Sequence, residues 1–319
     1  MIRIILSFFG TLRSDYLPGY LYVLWFLGKV RGFIPDTLLY KLPAILADLA
    51  TGFLIYKILK GKKGLIGAAI YLLNPAIFAN SSLWGQVDSF TALFSLLAIY
   101  LVPGAYFISA IALAVGTLIK PQAAFVAPVV LFLMIKNKFS LKKYLAFTFL
   151  AFSIFILAFV PFSHGNLFEF IIQRLTISAN QYPYTTINAF NLWGLFGQWK
   201  PDTLYFQYGG YLIFLISFLL LSRRIKLVHV LTAFSFLFSF FFFTRMHERH
   251  LLPVFAPLTI LAAGEFIYLI PLVGLSLVYV SNLFYSYNWV TYDFKVSFEP
   301  FPVIILGLTS FFVLLFLSL

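Results

Sequence analysis

Within six residues, Arg245, His247, Glu248, Arg249 and His250 gather two guanidiniums, two imidazoles and a carboxylate. The phenylalanine-rich run Phe234 to Phe243 precedes them, and a second apolar segment follows from Leu251. Charge set against hydrocarbon is expensive, so by default such a cluster is a functional one. Spacing excludes one chemistry. A helical metalloprotease needs two histidines four apart with Glu after the first, whereas His247 and His250 are three apart. The plainer reading is an interfacial anchor, with Arg and His reaching from a helix end towards the headgroups. A glutamate wedged among the cations speaks against it, and the cluster is expected to bind an anionic group at the membrane boundary.

Other polar residues recur at the ends of apolar runs. Trp84-Gly85-Gln86-Val87-Asp88 reads as the rim of a polar pocket, although Trp belongs at interfaces in any case. Lys120-Pro121-Gln122 places a lysine at a membrane edge, where snorkelling is the ordinary explanation. Lys120, Arg245 and Arg249 are nevertheless expected at one depth, an arrangement suited to a phosphate. Asp15 opens Asp15-Tyr16-Leu17-Pro18-Gly19-Tyr20 and reads equally as a helix cap. Asp48 lies in the middle of an apolar run, where an ionised carboxylate needs a partner, structural or otherwise. The stretch 163–203 mixes amides and rings, among them Asn188, Asn191 and Trp193, a composition that suits a glycan or an interfacial helix.

The elements that must hold these groups are membrane helices. The chain is 62% hydrophobic and 10% charged, against about 25% charged in a soluble domain. Its repeated apolar runs approach the roughly 20 residues needed to cross a bilayer, and they lack the alternation of a transmembrane barrel. A net charge of +12 invites a nucleic-acid reading, which the distribution of the cations rejects. Lys57, Lys60, Lys62, Lys63, Lys136, Lys138, Lys142, Lys143, Arg223, Arg224 and Lys226 fall in three short loops that contain no acid. That asymmetry places the three loops in the cytoplasm. With no cysteine, the chain has no disulfide and no thiolate ligand.

The reading is an all-α, polytopic membrane protein forming a single domain over residues 1–319. Residues 1–37 are a remnant of an external loop with a juxtamembrane helix. A bundle over 38–319 holds about 11 transmembrane helices, at 38–59, 65–82, 87–102, 105–119, 121–135, 144–162, 204–221, 227–243, 251–268, 270–287 and 301–319. Trp84 to Asp88, the external loop 163–203, the Arg/His cluster and 289–300 then share the face opposite the basic loops. The active site is expected on that external face of the cell membrane.

Taken in order, Asp15-Tyr16 with Pro18-Gly19-Tyr20, Trp84-Gly85-Gln86 with Asp88, Lys120-Pro121-Gln122, Asn188-Ala189-Phe190-Asn191-Leu192-Trp193 and Arg245-Met246-His247-Glu248-Arg249-His250 resemble a known pattern. They look like the bacterial and archaeal branch of the GT-C glycosyltransferases, related to the GPI and dolichyl-phosphate-mannose mannosyltransferases. The resemblance runs from Asp15 to about Pro253. It implies an inverting hexosyltransferase, mannosyltransferase-like, using a polyprenyl-phosphate-linked sugar donor and a glycan or lipid acceptor. In that superfamily the catalytic acid usually follows a first transmembrane helix, so this chain is expected to lack the family's first helix.

On that reading Asp15 is the first choice for the base that deprotonates the acceptor hydroxyl, and Asp88 the second. Lys120, Arg245 and Arg249, with a protonated His247 or His250, would stabilise the departing carrier phosphate. Gln86, Trp84, Gln122, Asn188, Asn191, Trp193 and Glu248 would bind sugar. No cofactor is required; a divalent metal is compatible but not indicated. Membrane lipids are the other expected partners, and nucleic acid is not one. Two rival readings remain: a membrane transporter or lipid-carrier flippase, and a catalytically inactive truncated relative.

Overall fold

The computed structural model describes residues 16–295 and 300–319. Asp15, the first choice for the base, lies outside the described residues, as does part of the expected outer loop 289–300. In chain order the principal helices are α1 (Pro18–Lys29), α2 (Leu42–Leu59), α3 (Gly61–Leu72), α4 (Ser89–Leu101), α5 (Tyr106–Ile119), α6 (Ala127–Lys136) and α7 (Leu141–Leu157). They continue with α8 (Leu167–Asn180), α9 (Leu204–Arg224), α10 (Val228–Phe242), α11 (Phe255–Gly264), α12 (Leu269–Thr291) and α13 (Pro300–Ser318). Among the described residues the strands are two short pieces, β1 (Thr186–Ile187) and β2 (Met246–His247), paired in parallel.

Five stretches are long and apolar enough to cross a membrane: Asp36–Leu59, Leu141–Phe162, Leu204–Arg224, Phe266–Thr291 and Pro300–Ser318. A sixth arises if Gly61–Leu72 and Pro75–Trp84, bent by 47°, form one broken span. The expected spans at 87–102, 105–119, 121–135 and 227–243 are shorter apolar helices of 10–17 residues, and the expected 251–268 is divided among a 3-10 turn, α11 and a break at Glu265. Polar turns at Lys120 and at Thr244–His250 interrupt the hydrocarbon, so sequence hydropathy alone overstates the number of full-length helices.

The centre of the bundle is α10. Every residue from Val230 to Phe241 is buried, and α11 is buried from Phe255 to Ala262. A helix apolar on all sides is one enclosed by its neighbours, and the phenylalanine run is legible in that sense. By contrast α7 buries Phe147 alone along its 17 residues and forms the periphery. The Arg/His cluster therefore hangs between the two most enclosed helices of the molecule.

Two local devices aim other segments at it. Asn74 caps the turn at Pro75 by accepting from the Ala76 N–H at 2.9 Å, and its amide donates to Ser276 Oγ at 2.9 Å. Beyond that bend, Ala79–Trp84 is a π-helical turn ended by Gly85 in the left-handed region (φ 84°), which glycine reaches without strain. Lys41 Nζ donates to the last carbonyls of the turn, Ser82 O at 2.9 Å and Leu83 O at 2.8 Å. Gly19 has a different task. A Cβ there would lie 2.5 Å from the Leu118 carbonyl carbon and 2.6 Å from the Ile119 nitrogen, so its absence lets α1 press backbone to backbone on the end of α5.

Gly19→Ala is therefore expected to lower stability by about 1–3 kcal/mol through overpacking. Gly104→Ala, at a site with nothing within 4 Å of the added carbon, is expected to be nearly neutral. Thermal unfolding in detergent measures both, and equal midpoints would refute the close-contact role.

Candidate functional site

Three chain segments converge around four ionisable groups. α5 ends at Lys120, whose backbone turns extended (φ −143°, ψ 118°) before the 3-10 turn at Pro121–Val126, so the side chain is drawn inward and is only 8% exposed. Asp88 precedes the first turn of α4, where a carboxylate is favoured by the helix dipole. Glu248 and Arg249 open the 3-10 turn Glu248–Val254. Lys120 Nζ donates to both Asp88 oxygens, at 3.0 and 3.1 Å. Arg249 Nε stands 3.8 Å from Asp88 Oδ2, and Arg249 Nη1 donates to Glu248 Oε1 at 2.9 Å. Two cations and two carboxylates are thus held out of water in mutual balance. Burial pushes the Lys120 ammonium below its ordinary range, Asp88 opposes that shift, and Arg249 adds to it.

The two histidines lock one another. His247 N–H donates to His250 Nδ1 at 3.2 Å, and the His247 ring accepts from the His250 N–H in return. A ring nitrogen that accepts carries no proton, so both imidazoles are neutral. Electrostatics agree. Burial first, then Arg249 and Lys120, push the His247 pKa well below the usual histidine value. Burial, His247, Lys120 and Arg249 do the same to His250. The expectation of a protonated histidine in the phosphate clamp is corrected accordingly: each ring is a neutral hydrogen-bonding group. Because Nδ1 of His250 accepts, its Nε2 bears the proton, and the Gln122 amide stands 3.1 Å away. Gln122 Oε1 is otherwise buried without a partner, and turning the amide lets that oxygen accept from the ring.

Arg245 is pinned on three sides. Its backbone is left-handed (φ 63°), and its N–H is shared between Tyr184 O at 3.1 Å and Thr185 O at 3.2 Å. Nε donates to Asp202 Oδ2 at 2.8 Å, while Nη1 donates to Ala179 O and to Asn180 Oδ1 at 2.9 Å. The parallel pairing of Thr186 with Met246 and Ile187 with His247 fastens the stretch 163–203 to the cluster. Two paired residues per strand give no periodic signal, so neither strand was legible in the sequence.

These groups form one wall of a cavity of about 530 Å³, within the usual range for small-molecule sites. Its lining comes from helix ends and the turns between them. Lys120, Gln122, Arg245, His247, Arg249 and His250 all contribute to it. Asp88 and Glu248 are not lining residues; they stand behind the cations, buried to 1% and 3% exposure. Both oxygens of Asp88 are taken by Lys120, which suits it to holding charge rather than to accepting a proton.

The expected sugar ligands fare differently. Asn188 Oδ1 accepts from Trp199 Nε1, Asn191 bridges Phe240 O and Gly194 N, and Trp193 Nε1 donates to Phe242 O. Their polar atoms tie the loop to itself and to the end of α10, and none of the three lines the cavity. Trp84 packs edge-on against Tyr287, and Gln86 is tied through its backbone to Asn80; neither lines it. In their place stand Tyr16, Ser178, Gln181, Tyr182, Gln207 and Tyr211. Tyr182 meets His247 edge-on at 5.1 Å. Gln207 and Tyr211 are one turn apart near the start of a largely apolar helix, a spacing that puts them on one face and offers the signal by which they could have been found. Among the described residues, no group of three or more His, Asp or Glu is arranged to hold a metal ion.

No protein-family model matches the chain, and no curated protein matches it.

Asp88→Asn is expected to leave the buried Lys120 ammonium uncompensated beside a neutral neighbour and to cost about 3–5 kcal/mol. The double change Asp88→Leu with Lys120→Met is expected to recover most of that loss, and a double mutant no better than the single one would refute the pairing. Histidines whose folded pKa is depressed contribute stability that is complete above the unfolded value near 6.5 and is lost as pH falls below it. Unfolding midpoints from pH 8 to 5 should therefore drop below about pH 6.5, and His250→Gln should flatten that drop.

Proposed function

We propose that this chain is an integral-membrane glycosyltransferase. It moves a hexose, mannose by resemblance, from a polyprenyl-phosphate carrier to a lipid or glycan acceptor on the external face. One observation carries the reading: Lys120, Arg245 and Arg249 line the same cavity as neutral amides and aromatic rings, among them Gln122, Gln181, Tyr182 and Tyr211. The first set suits a phosphate and the second a sugar. The apolar helices beside it supply a route for an isoprenoid chain, and the shorter helices α4, α5, α6 and α10 complete the bundle as spans.

In the reaction, the acceptor oxygen forms a bond to the anomeric carbon as the bond from that carbon to the phosphate oxygen breaks. The acceptor proton passes to a carboxylate, and the configuration inverts. Asp15 remains the proposed base; its chain neighbour Tyr16 lines the cavity. Asp88, engaged by Lys120, is assigned to holding the cations in place. Negative charge grows on the departing phosphate, and prearranged cations stabilise it there without reorganisation. His247, being neutral, offers an N–H to a phosphate or sugar oxygen. The rival transporter reading draws on Asp48, 4% exposed within α2, and on the 47° bend after α3. The cavity, however, is built from helix ends and not from the middle of the bundle, which favours the enzyme.

Membranes containing the chain, supplied with radiolabelled polyprenyl-phosphate-mannose, test the proposal. Arg245→Ala is expected to reduce transfer by about a hundredfold or more, Asp15→Asn to abolish it, and Lys226→Ala, on the opposite face, to leave it unchanged. Turnover indifferent to Arg245 would remove the clamp assignment. A cysteine at Trp84 should label from outside and one at Lys138 from inside; the reverse would overturn the sidedness.

A further inference from the structure

Asp202 has no place in the scheme above, yet its side chain is completely buried against the cation wall. Its backbone is fixed first. Asp202 N–H donates to Pro183 O at 3.0 Å, Tyr184 bridges to Pro201, and Thr203 N–H donates to Asp202 Oδ1 at 2.7 Å. The second oxygen, Oδ2, accepts from Arg245 Nε at 2.8 Å and from Thr244 Oγ1 at 2.9 Å. With Nη1 held by Ala179 and Asn180, the guanidinium is fixed in its plane. Nη2 is then the nitrogen without a protein partner among the described residues. Arg245 also holds a left-handed backbone, a conformation that costs a non-glycine residue energy and persists where the surroundings impose it.

We propose that Asp202 is the positioning residue for Arg245, presenting its Nη2 edge to an anionic phosphate oxygen in the cavity. The inference rests on the phosphate-clamp reading of that wall. It adds that the clamp is assembled from two distant parts of the chain, the loop before α9 supplying the brace and the turn after α10 supplying the cation. A guanidinium braced in advance loses little side-chain freedom when a ligand arrives, so the brace should appear as affinity. The same pairing reserves part of the arginine charge, which matches the site to a single phosphate group.

The experiment uses the full chain in detergent, with two readouts. The first is modification of Arg245 by phenylglyoxal, followed by mass spectrometry. Asp202→Asn is expected to accelerate it about tenfold by freeing the guanidinium, and Asp202→Glu to restore part of the protection. An unchanged rate in Asp202→Asn overturns the proposal. The second is binding of farnesyl phosphate, with farnesol as the control lacking the phosphate. Asp202→Asn and Arg245→Ala are each expected to weaken farnesyl phosphate about tenfold while leaving farnesol unaffected, with partial rescue in Asp202→Glu. Weakening in Arg245→Ala alone overturns the positioning role and leaves the clamp standing. Accelerated modification with farnesyl phosphate affinity unchanged in both variants upholds the bracing of Arg245 and overturns its presentation to phosphate. The clamp reading itself then fails. Thermal unfolding of each variant separates these outcomes from simple misfolding.

Discussion

The arrangement of this whole end of the bundle depends on keeping charge out of water without leaving any of it alone. Lys120, Asp88, Arg249 and Glu248 answer that constraint together. An isolated buried ion would be driven to neutralise itself, and a pair is tolerable only with good geometry and satisfied hydrogen bonds. The bidentate contact of Lys120 with Asp88 supplies that geometry, and the neighbouring Glu248 completes the balance for Arg249. Because the cations are compensated from behind, they can face a cavity permanently, ready for an anion and stable without one. Secondary structure follows from this requirement. α5 must stop at Lys120, α4 must begin at Asp88, and the chain after α10 must turn through Arg245 to His250 instead of continuing as helix.

Neutral histidines beside fixed cations make chemical sense in the same terms. Protonating both imidazoles would add two positive charges with no further carboxylate to meet them, Asp88, Glu248 and Asp202 being already engaged. The fold avoids this by giving each ring a backbone N–H to accept, which settles the protonation state through hydrogen bonding. The surrounding cations then reinforce the choice.

How much of this was legible beforehand divides along physical lines. Composition and apolar runs give helices, and residues such as Arg249 and Lys120 announce themselves because charge is rare against hydrocarbon. Their convergence could be anticipated from shared depth in the membrane. Depth, however, says nothing about which polar atoms remain free. Asn188, Asn191 and Trp193 look like ligands by type, but their polar atoms are spent on Trp199, on Gly194 N and on the last carbonyls of α10, which fix the irregular loop in place. Conversely Asp202 reads as an ordinary acid before a helix, and only isolated backbone pairings through Pro183 and Tyr184, too short to leave a pattern, bring it beside Arg245. Pro18-Gly19 carried a third lesson. Gly19 has no side chain to announce a role, yet it is the contact that seats α1 on α5.

The four-charge cluster also has a bearing on how the polypeptide enters the bilayer during synthesis. Asp88 and Lys120 both belong to the first half of the chain, whereas Glu248 and Arg249 are adjacent in its last third. Each pair is neutral by itself. Early helices can therefore be released into lipid with their charges already cancelled, and the later segment arrives as a self-cancelling unit. Neither half has to wait, exposed, for the other. The four-charge cluster is thus built from two pairs that are each acceptable to hydrocarbon before they meet.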